Sequence, residues 1–193
     1  MREHSSLFRS LQRLFLWTGV VALAYSGGTA AYSDAFQRYQ SRQLERVRAE
    51  HERLRPVRAE EVPDLSEGDV VGKLEVPRIG LSVIVLQGIE ESTLMLGAGH
   101  VPGTPLPTFA GNVVIAAHRD TYFRKLNAII PGDRIRLSIG TRVHEYRVHT
   151  VEVLDPSNTE PMESRAYSEL TLITCYPFYF VGSAPKRFIV RAR

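Results

Sequence analysis

One cysteine, six histidines and a cationic C-terminal run are the residues in this chain whose chemistry goes beyond packing. Cys175 ends the apolar, β-branched run Leu170-Thr171-Leu172-Ile173-Thr174, and Tyr176-Pro177 follows it, where proline stops a strand ladder. A thiol at a strand end, with the chain turning away, can face a cleft. A lone cysteine is equally readable as a small buried hydrophobe. To act as a nucleophile it needs a proton acceptor and donor within hydrogen-bond reach, and a group that stabilises an oxyanion.

Of the histidines, His4 lies near the N-terminus and His51 in a densely charged stretch, so neither suits that role. His144 and His149 sit among mixed polar neighbours and read as surface histidines. His100 falls in the glycine-rich GAGHVPGT and remains a rival. His118 directly follows Val113-Val114-Ile115-Ala116-Ala117, an apolar strand whose end would project it as Cys175 is projected. The cation could be Lys186, Arg187, Arg191 or Arg193. Side chains alternate faces along a strand, so with Phe188 and Val190 toward a core, Arg187 and Arg191 lie opposite them. An arginine there offers a permanent charge and forked donors, or is simply a solvated surface cation.

The elements that must position these groups are strands. Beyond residue 64, short runs rich in Val, Ile, Leu and Thr are punctuated by Gly, Pro, Asn and Asp. Strands are expected at 70–76, 82–86, 112–117, 134–139, 142–153, 170–175 and 186–192, with turns at 77–80, 102–107 and 131–133. In the long strand, Tyr146 and Val148 keep one alternation while Val151 and Val153 switch to the other. A bulge within 144–150 accounts for that. Short helices are expected at 92–96 and 119–126. About 125 residues of this texture make one closed β-barrel.

The chain has 193 residues, with 44% hydrophobic and 23% charged, which is ordinary for a folded protein. A single cysteine excludes an internal disulfide framework, and no Cys-x-x-Cys or His/Cys cluster suggests structural zinc. The net charge of +3 is unevenly spread. Residues 1–60 hold ten Lys/Arg against six Asp/Glu, leaving the remainder near neutral and without the basic footprint that nucleic acid requires.

Within that basic N-terminal part, residues 14–33 form 20 positions without a charge. A helix of that length reaches ~30 Å, the thickness of a bilayer's hydrocarbon core. Trp17 and Tyr32 sit near its ends, where amphipathic rings prefer the interface, and Arg2, Arg9 and Arg13 precede it. The expectation is a basic cytoplasmic tail (1–13), a transmembrane anchor (14–33) and an exported remainder. A cleaved signal peptide is the alternative, but the run exceeds the ~7–15 residues of such a segment. Residues 34–66, rich in Arg, Glu and Gln with too few apolar residues for a core-facing stripe, read as an exposed helical stalk. Residues 67–193 are the globular part.

Taken together, TLITCYP (171–177), NVVIAAHRDTYF (112–123) and KRFIVRA (186–192) resemble a sortase. GKLEVPRIGLSVIVLQG (72–88) is similar to that family's first strands, and GAGHVPGT to its following loop. The resemblance covers 72–193, and the Cys-Tyr-Pro-Phe ending looks closest to class D. It implies a mainly all-β fold, an eight-stranded barrel with short helices. It further implies Cys175 as nucleophile, His118 as general acid/base and Arg187 as oxyanion stabiliser, with the Thr174 hydroxyl helping to bind substrate. His100 corresponds to a loop residue outside the catalytic set, and Asp120 is given no catalytic role. Ala117 departs from the pattern, since many relatives carry glycine there.

The reaction so implied is cleavage of an LPxTG-like signal in a secreted protein, through a thioacyl-enzyme, and transfer to an amine of a cell-wall precursor or pilin. No cofactor is expected, and calcium dependence is left open. A membrane-tethered cysteine hydrolase and a non-catalytic β-barrel binding module are the competing readings.

Overall fold

A computed structural model describes residues 3–53, 65–107, 110–180 and 182–193. Eight strands, β1 (Val70–Val76), β2 (Leu81–Gln87), β3 (Ala98–His100), β4 (Asn112–Ala116), β5 (Arg134–Ile139), β6 (Arg142–Leu154), β7 (Glu169–Tyr176) and β8 (Lys186–Ala192), close into a barrel in the order β1-β2-β3-β4-β7-β8-β6-β5. Helix α1 covers Glu3–Arg53 and the short α2 covers Glu91–Leu96.

Seven strands stand where the residue pattern puts them. The eighth, β3, falls in the glycine-rich segment, where three residues carry no alternation to read. It forms because β2 pairs with it in parallel and β4 in antiparallel fashion, completing the wall. The expected bulge is present: the β6–β8 register shifts between Val148 and Thr150. Residues 119–126 are turns followed by a single 3-10 segment, Arg124–Ala128, rather than an α-helix.

The interior holds Leu74, Val83, Val85, Ile115, Phe123, Leu137, Leu170, Leu172 and Val190, together with their neighbours. Each fully buried side chain of this kind contributes roughly 1.5–3 kcal/mol. Gly72 marks where β1 crowds β5. A Cβ there would sit 2.1 Å from the Ser138 carbonyl oxygen, so a side chain would push the two strands apart.

The connection from β6 to β7 crosses the outer face of the sheet and is tied down by polar contacts. Asn112 Nδ2 donates to the carbonyls of Pro161 (2.8 Å) and Glu163 (3.1 Å). Arg191 bonds Glu152 through Nε (2.9 Å) and grips Glu160 with both terminal nitrogens, one at 2.9 Å. Arg165 also bonds Glu160. The Arg191 hydrogen bonds, reinforced by Arg165, hold the Glu160 carboxyl down to about 2.

Residues 13–46 form a stretch long and apolar enough to cross a membrane, and its apolar part is unburied, with Leu14, Phe15, Trp17, Leu23 and Tyr25 all exposed. α1 then continues without a break into the segment expected to stand free as a stalk. There the structure differs: Ser33, Phe36, Gln37, Gln40, Ser41 and Leu44, at helical spacing, are half-buried. The Gln37 amide accepts from Ile84 N–H (2.7 Å) and donates to the Leu96 carbonyl, at the point where β2 and β3 diverge. Ser33 Oγ donates to the Met95 carbonyl (3.0 Å). The docking stripe is largely polar, which is why a count of apolar residues does not reveal it. Gly97 keeps the seam narrow, since its Cβ would lie 2.6 Å from the Ile84 carbonyl oxygen. The expected end of the stalk, 56–63, lies outside the described residues.

Two outcomes follow from these ties. Replacing Gln37→Ala strands the Ile84 amide, so its hydrogen exchange should accelerate about 5- to 150-fold, the ~1–3 kcal/mol of a lost buried partner, while β7 amides stay unchanged. Glu160→Gln should cost about 1 kcal/mol at pH 7, less than the pKa shift alone implies because Glu160 is 41% exposed. A depressed carboxyl stabilises above its ordinary value and loses that contribution as pH falls through its folded one. Chemical denaturation of the two proteins should therefore converge between about pH 4.5 and about pH 2.

Candidate active site

Leu170 and Leu172 of β7 point into the barrel, as do Phe188 and Val190 of β8 and Val113 and Ile115 of β4. The intervening residues face outward, so Ile173 and Cys175 share the outer face with Arg187, Ile189 and Arg191. The antiparallel β7–β8 register sets Cys175 directly opposite Arg187. Side chains so paired start from Cβ atoms about 4.5–5.5 Å apart and emerge on the same side. β4 runs parallel to β7 with Ala116 against Ile173, and Ala117 N–H donates to the Ile173 carbonyl (3.2 Å). His118 follows two residues beyond Ala116, as Cys175 follows two residues beyond Ile173.

Cys175 is a free thiol, half-buried at the strand end. The His118 side chain is 34% exposed, with Nε2 3.5 Å from Glu91 Oε1 of α2. His118 also lines a cavity of about 740 Å³, together with residues of α1 and α2. Arg187 is half-buried and donates from Nη1 to the Lys186 carbonyl (3.2 Å). The other candidate cations are engaged: Lys186 with Asp155 (2.7 Å), Arg191 with Glu152 and Glu160, and Arg193 with Glu169 (3.4 Å). Among the described residues, Arg187 alone of the four has no carboxylate partner, which leaves its charge available to an oxyanion. A thiol, an imidazole and a guanidinium at one strand end form a set suited to acyl transfer.

Thr174, expected to offer its hydroxyl to substrate, does something else. It is 3% exposed, and its Oγ1 donates to the Ala117 carbonyl (2.6 Å). The even-numbered position turns it away from the outer face, and it pins the residue before His118. His100, the rival base, is also committed. It is 3% exposed, with Nδ1 2.9 Å from Gln87 Oε1 and Nε2 3.2 Å from the Pro105 carbonyl oxygen. Burial pushes its imidazole below the ordinary value, against the raising effect of the Pro105 contact. His149 is no free surface histidine, since Nε2 lies 3.1 Å from Glu169, a carboxylate only 1% exposed. Asp120 is exposed. The contact of Glu91 with His118 is not visible in the residue order, because it arises from segments that meet only in the fold. Among the described residues, no group of three or more His, Cys, Asp or Glu is placed to hold a metal ion.

Comparison with known proteins agrees with this geometry. Residues 74–193 match the sortase domain family. The chain is 34% identical over 124 residues to Sortase D of Bacillus subtilis, covering 64% of this chain and 63% of that protein. It is 29% identical over 130 residues to Sortase A of Bacillus anthracis, covering 65% and 60%. The chain thus spans about three fifths of the length of these curated relatives. In fold it is similar to a Sortase D5 transpeptidase of Clostridium perfringens, with a TM-score of 0.65 at 21% identity over 83% of this chain and 96% of that one. It is also similar to Sortase A from Corynebacterium diphtheriae, with a TM-score of 0.60 at 28% identity over 66% and 61%. A class D assignment fits these relatives, and the unburied apolar part of α1 fits a membrane-anchored protein of this kind. With its domain model matched over most of the barrel and its eight strands closed in the same way, the chain belongs to the sortase family.

Proposed function

We propose that this protein is a membrane-anchored cysteine transpeptidase, its N-terminus cytoplasmic and its barrel outside the cell. It cleaves an LPxTG-like sorting signal of a secreted protein and transfers that protein to an amine. The observation that supports this reading is the register of β4, β7 and β8, with Cys175 opposite an arginine that lacks a carboxylate partner among the described residues, and with His118 and Cys175 each two residues past the paired Ala116 and Ile173.

The substrate backbone lies extended along the outer face. The Cys175 thiolate attacks the carbonyl carbon of the threonine, and Arg187 stabilises the negative oxygen that develops. His118 gives its proton to the leaving amine as the C–N bond breaks, and a thioester to Cys175 remains. An incoming primary amine, of a cell-wall precursor or a pilin lysine, loses a proton to His118 and displaces the thiolate. Apolar Ile173 and Ala116, half-buried beside the cysteine, offer an apolar side chain of the signal a place to rest.

Incubating the protein with an LPxTG-type peptide and triglycine should yield the ligated peptide. Free acid alone would make the protein a hydrolase, and no product together with a Cys175 inert to iodoacetamide would make it a binding module. Cys175→Ala should abolish the thioacyl-enzyme seen by mass spectrometry without changing the circular dichroism of the barrel. Arg187→Ala should lower kcat about 10²–10³-fold, the scale of losing one oxyanion donor. Activity should be bell-shaped in pH, because the reactive form needs a deprotonated thiol together with a protonated imidazole. A plateau that stays high into alkaline pH would contradict that requirement.

A further inference from the structure

The pairing of β4 with β7 ends just short of the reactive groups. Its last ties are Ala117 N–H to the Ile173 carbonyl (3.2 Å) and the Thr174 hydroxyl to the Ala117 carbonyl (2.6 Å). Beyond them, His118 sits on the connection leading from β4 toward β5. Cys175 and Arg187 stand at the two ends of the connection from β7 to β8. Among the described residues, no backbone hydrogen bond joins these two connections.

Arg119 crosses the gap. Its Nη2 donates to the carbonyls of Phe180 (2.8 Å) and Gly182 (2.9 Å), and its guanidinium carbon lies 5.9 Å from the centre of the Phe180 ring. Arg119 makes no ion pair among the described residues, so its charge is spent on these carbonyls. Farther along, Arg124 lies 5.6 Å from the Tyr179 ring and Asn127 Nδ2 is 3.3 Å from the Tyr179 hydroxyl, but Tyr179 is 75% exposed and this second contact is at the rim.

We propose that Arg119 is a positioning residue for acyl transfer, a strut that holds the β7–β8 connection against the His118 segment and so sets the spacing of imidazole and thiol. The inference rests on the transpeptidase reading above. A planar guanidinium that holds two carbonyls fixes both the position and the orientation of a loop, whereas a lysine ammonium is a point charge on a flexible stem. Its bonds are charge-assisted and therefore stronger than neutral ones. Because Arg119 is the next residue after His118, any shift of the strut moves the imidazole directly. A displacement of about 1 Å in such a site can cost about 10²-fold in rate.

The test compares wild type, Arg119→Ala and Arg119→Lys by two readouts. Iodoacetamide alkylation of Cys175 across pH needs no sorting peptide, and peptide ligation separates kcat from KM. For Arg119→Ala, alkylation at pH 7 should slow about tenfold, because the thiol loses the imidazole that takes its proton. Its kcat should fall about 10–100-fold with KM within about twofold, and Arg119→Lys should recover part of each. Wild-type alkylation and kcat in folded Arg119→Ala would overturn the strut. If that variant does not fold, full alkylation and kcat in Arg119→Lys would overturn it equally. Should wild type alkylate as expected but ligate nothing, the transpeptidase reading fails while the alkylation series still decides the strut.

Discussion

In a pleated strand a slip of one residue turns every side chain to the opposite face. The register of β4, β7 and β8 is for that reason the constraint on which this molecule's chemistry depends. With Cys175 against Arg187 and Ala116 against Ile173, every residue that faces the groove is fixed along with every residue that fills the barrel. The same alternation that sends Leu170 and Leu172 inward sends Ile173 and Cys175 outward. A slip would expose the core leucines, so the free energy of burial itself guards the alignment of the reactive groups.

Polar ties guard the two ends of that sheet. At the reactive end, Thr174 spends its hydroxyl on the Ala117 carbonyl, bridging β7 to β4 where the ladder runs out. At the far end, buried Asn112 holds the β6–β7 connection and bonds Thr171 across the strands (2.7 Å), while Arg191 engages Glu152 and Glu160. Arg191 shares the outer face with Arg187, and its carboxylate partners set it apart. Two cations on one strand face, four residues apart, differ because Arg191 is neutralised within the fold and Arg187, among the described residues, is not.

Helix α1 does more than carry the apolar stretch. Gln37 supplies to β2 and α2 the hydrogen bonds that a neighbouring strand would otherwise provide, at the gap where β2 and β3 separate. α2 in turn carries Glu91, which stands beside His118. The apolar stretch of the chain, the barrel wall and the histidine segment are thus linked through one short helix.

The seven longer strands, the bulge in β6 and the proline-stopped end of β7 were legible in the residues, because alternation and turn chemistry are local properties. Cys175 and His118 were legible as strand-end groups, and Arg187 as an outward-facing cation, for the same reason. That the Thr174 hydroxyl bonds the Ala117 carbonyl was not legible, because parity, not adjacency to the cysteine, decides where a side chain points. β3, the polar docking stripe on α1 and the reach of Arg119 across the cleft had no local signature; each is created by a partner far away in the chain. What the sequence by itself determined was the chemistry on offer and the face on which each group emerges, since period and composition are written along the chain. Only the closed barrel decided that β4 lies beside β7, because strand neighbours some sixty residues apart are selected by closure of the whole wall, and closure is a property no single segment contains.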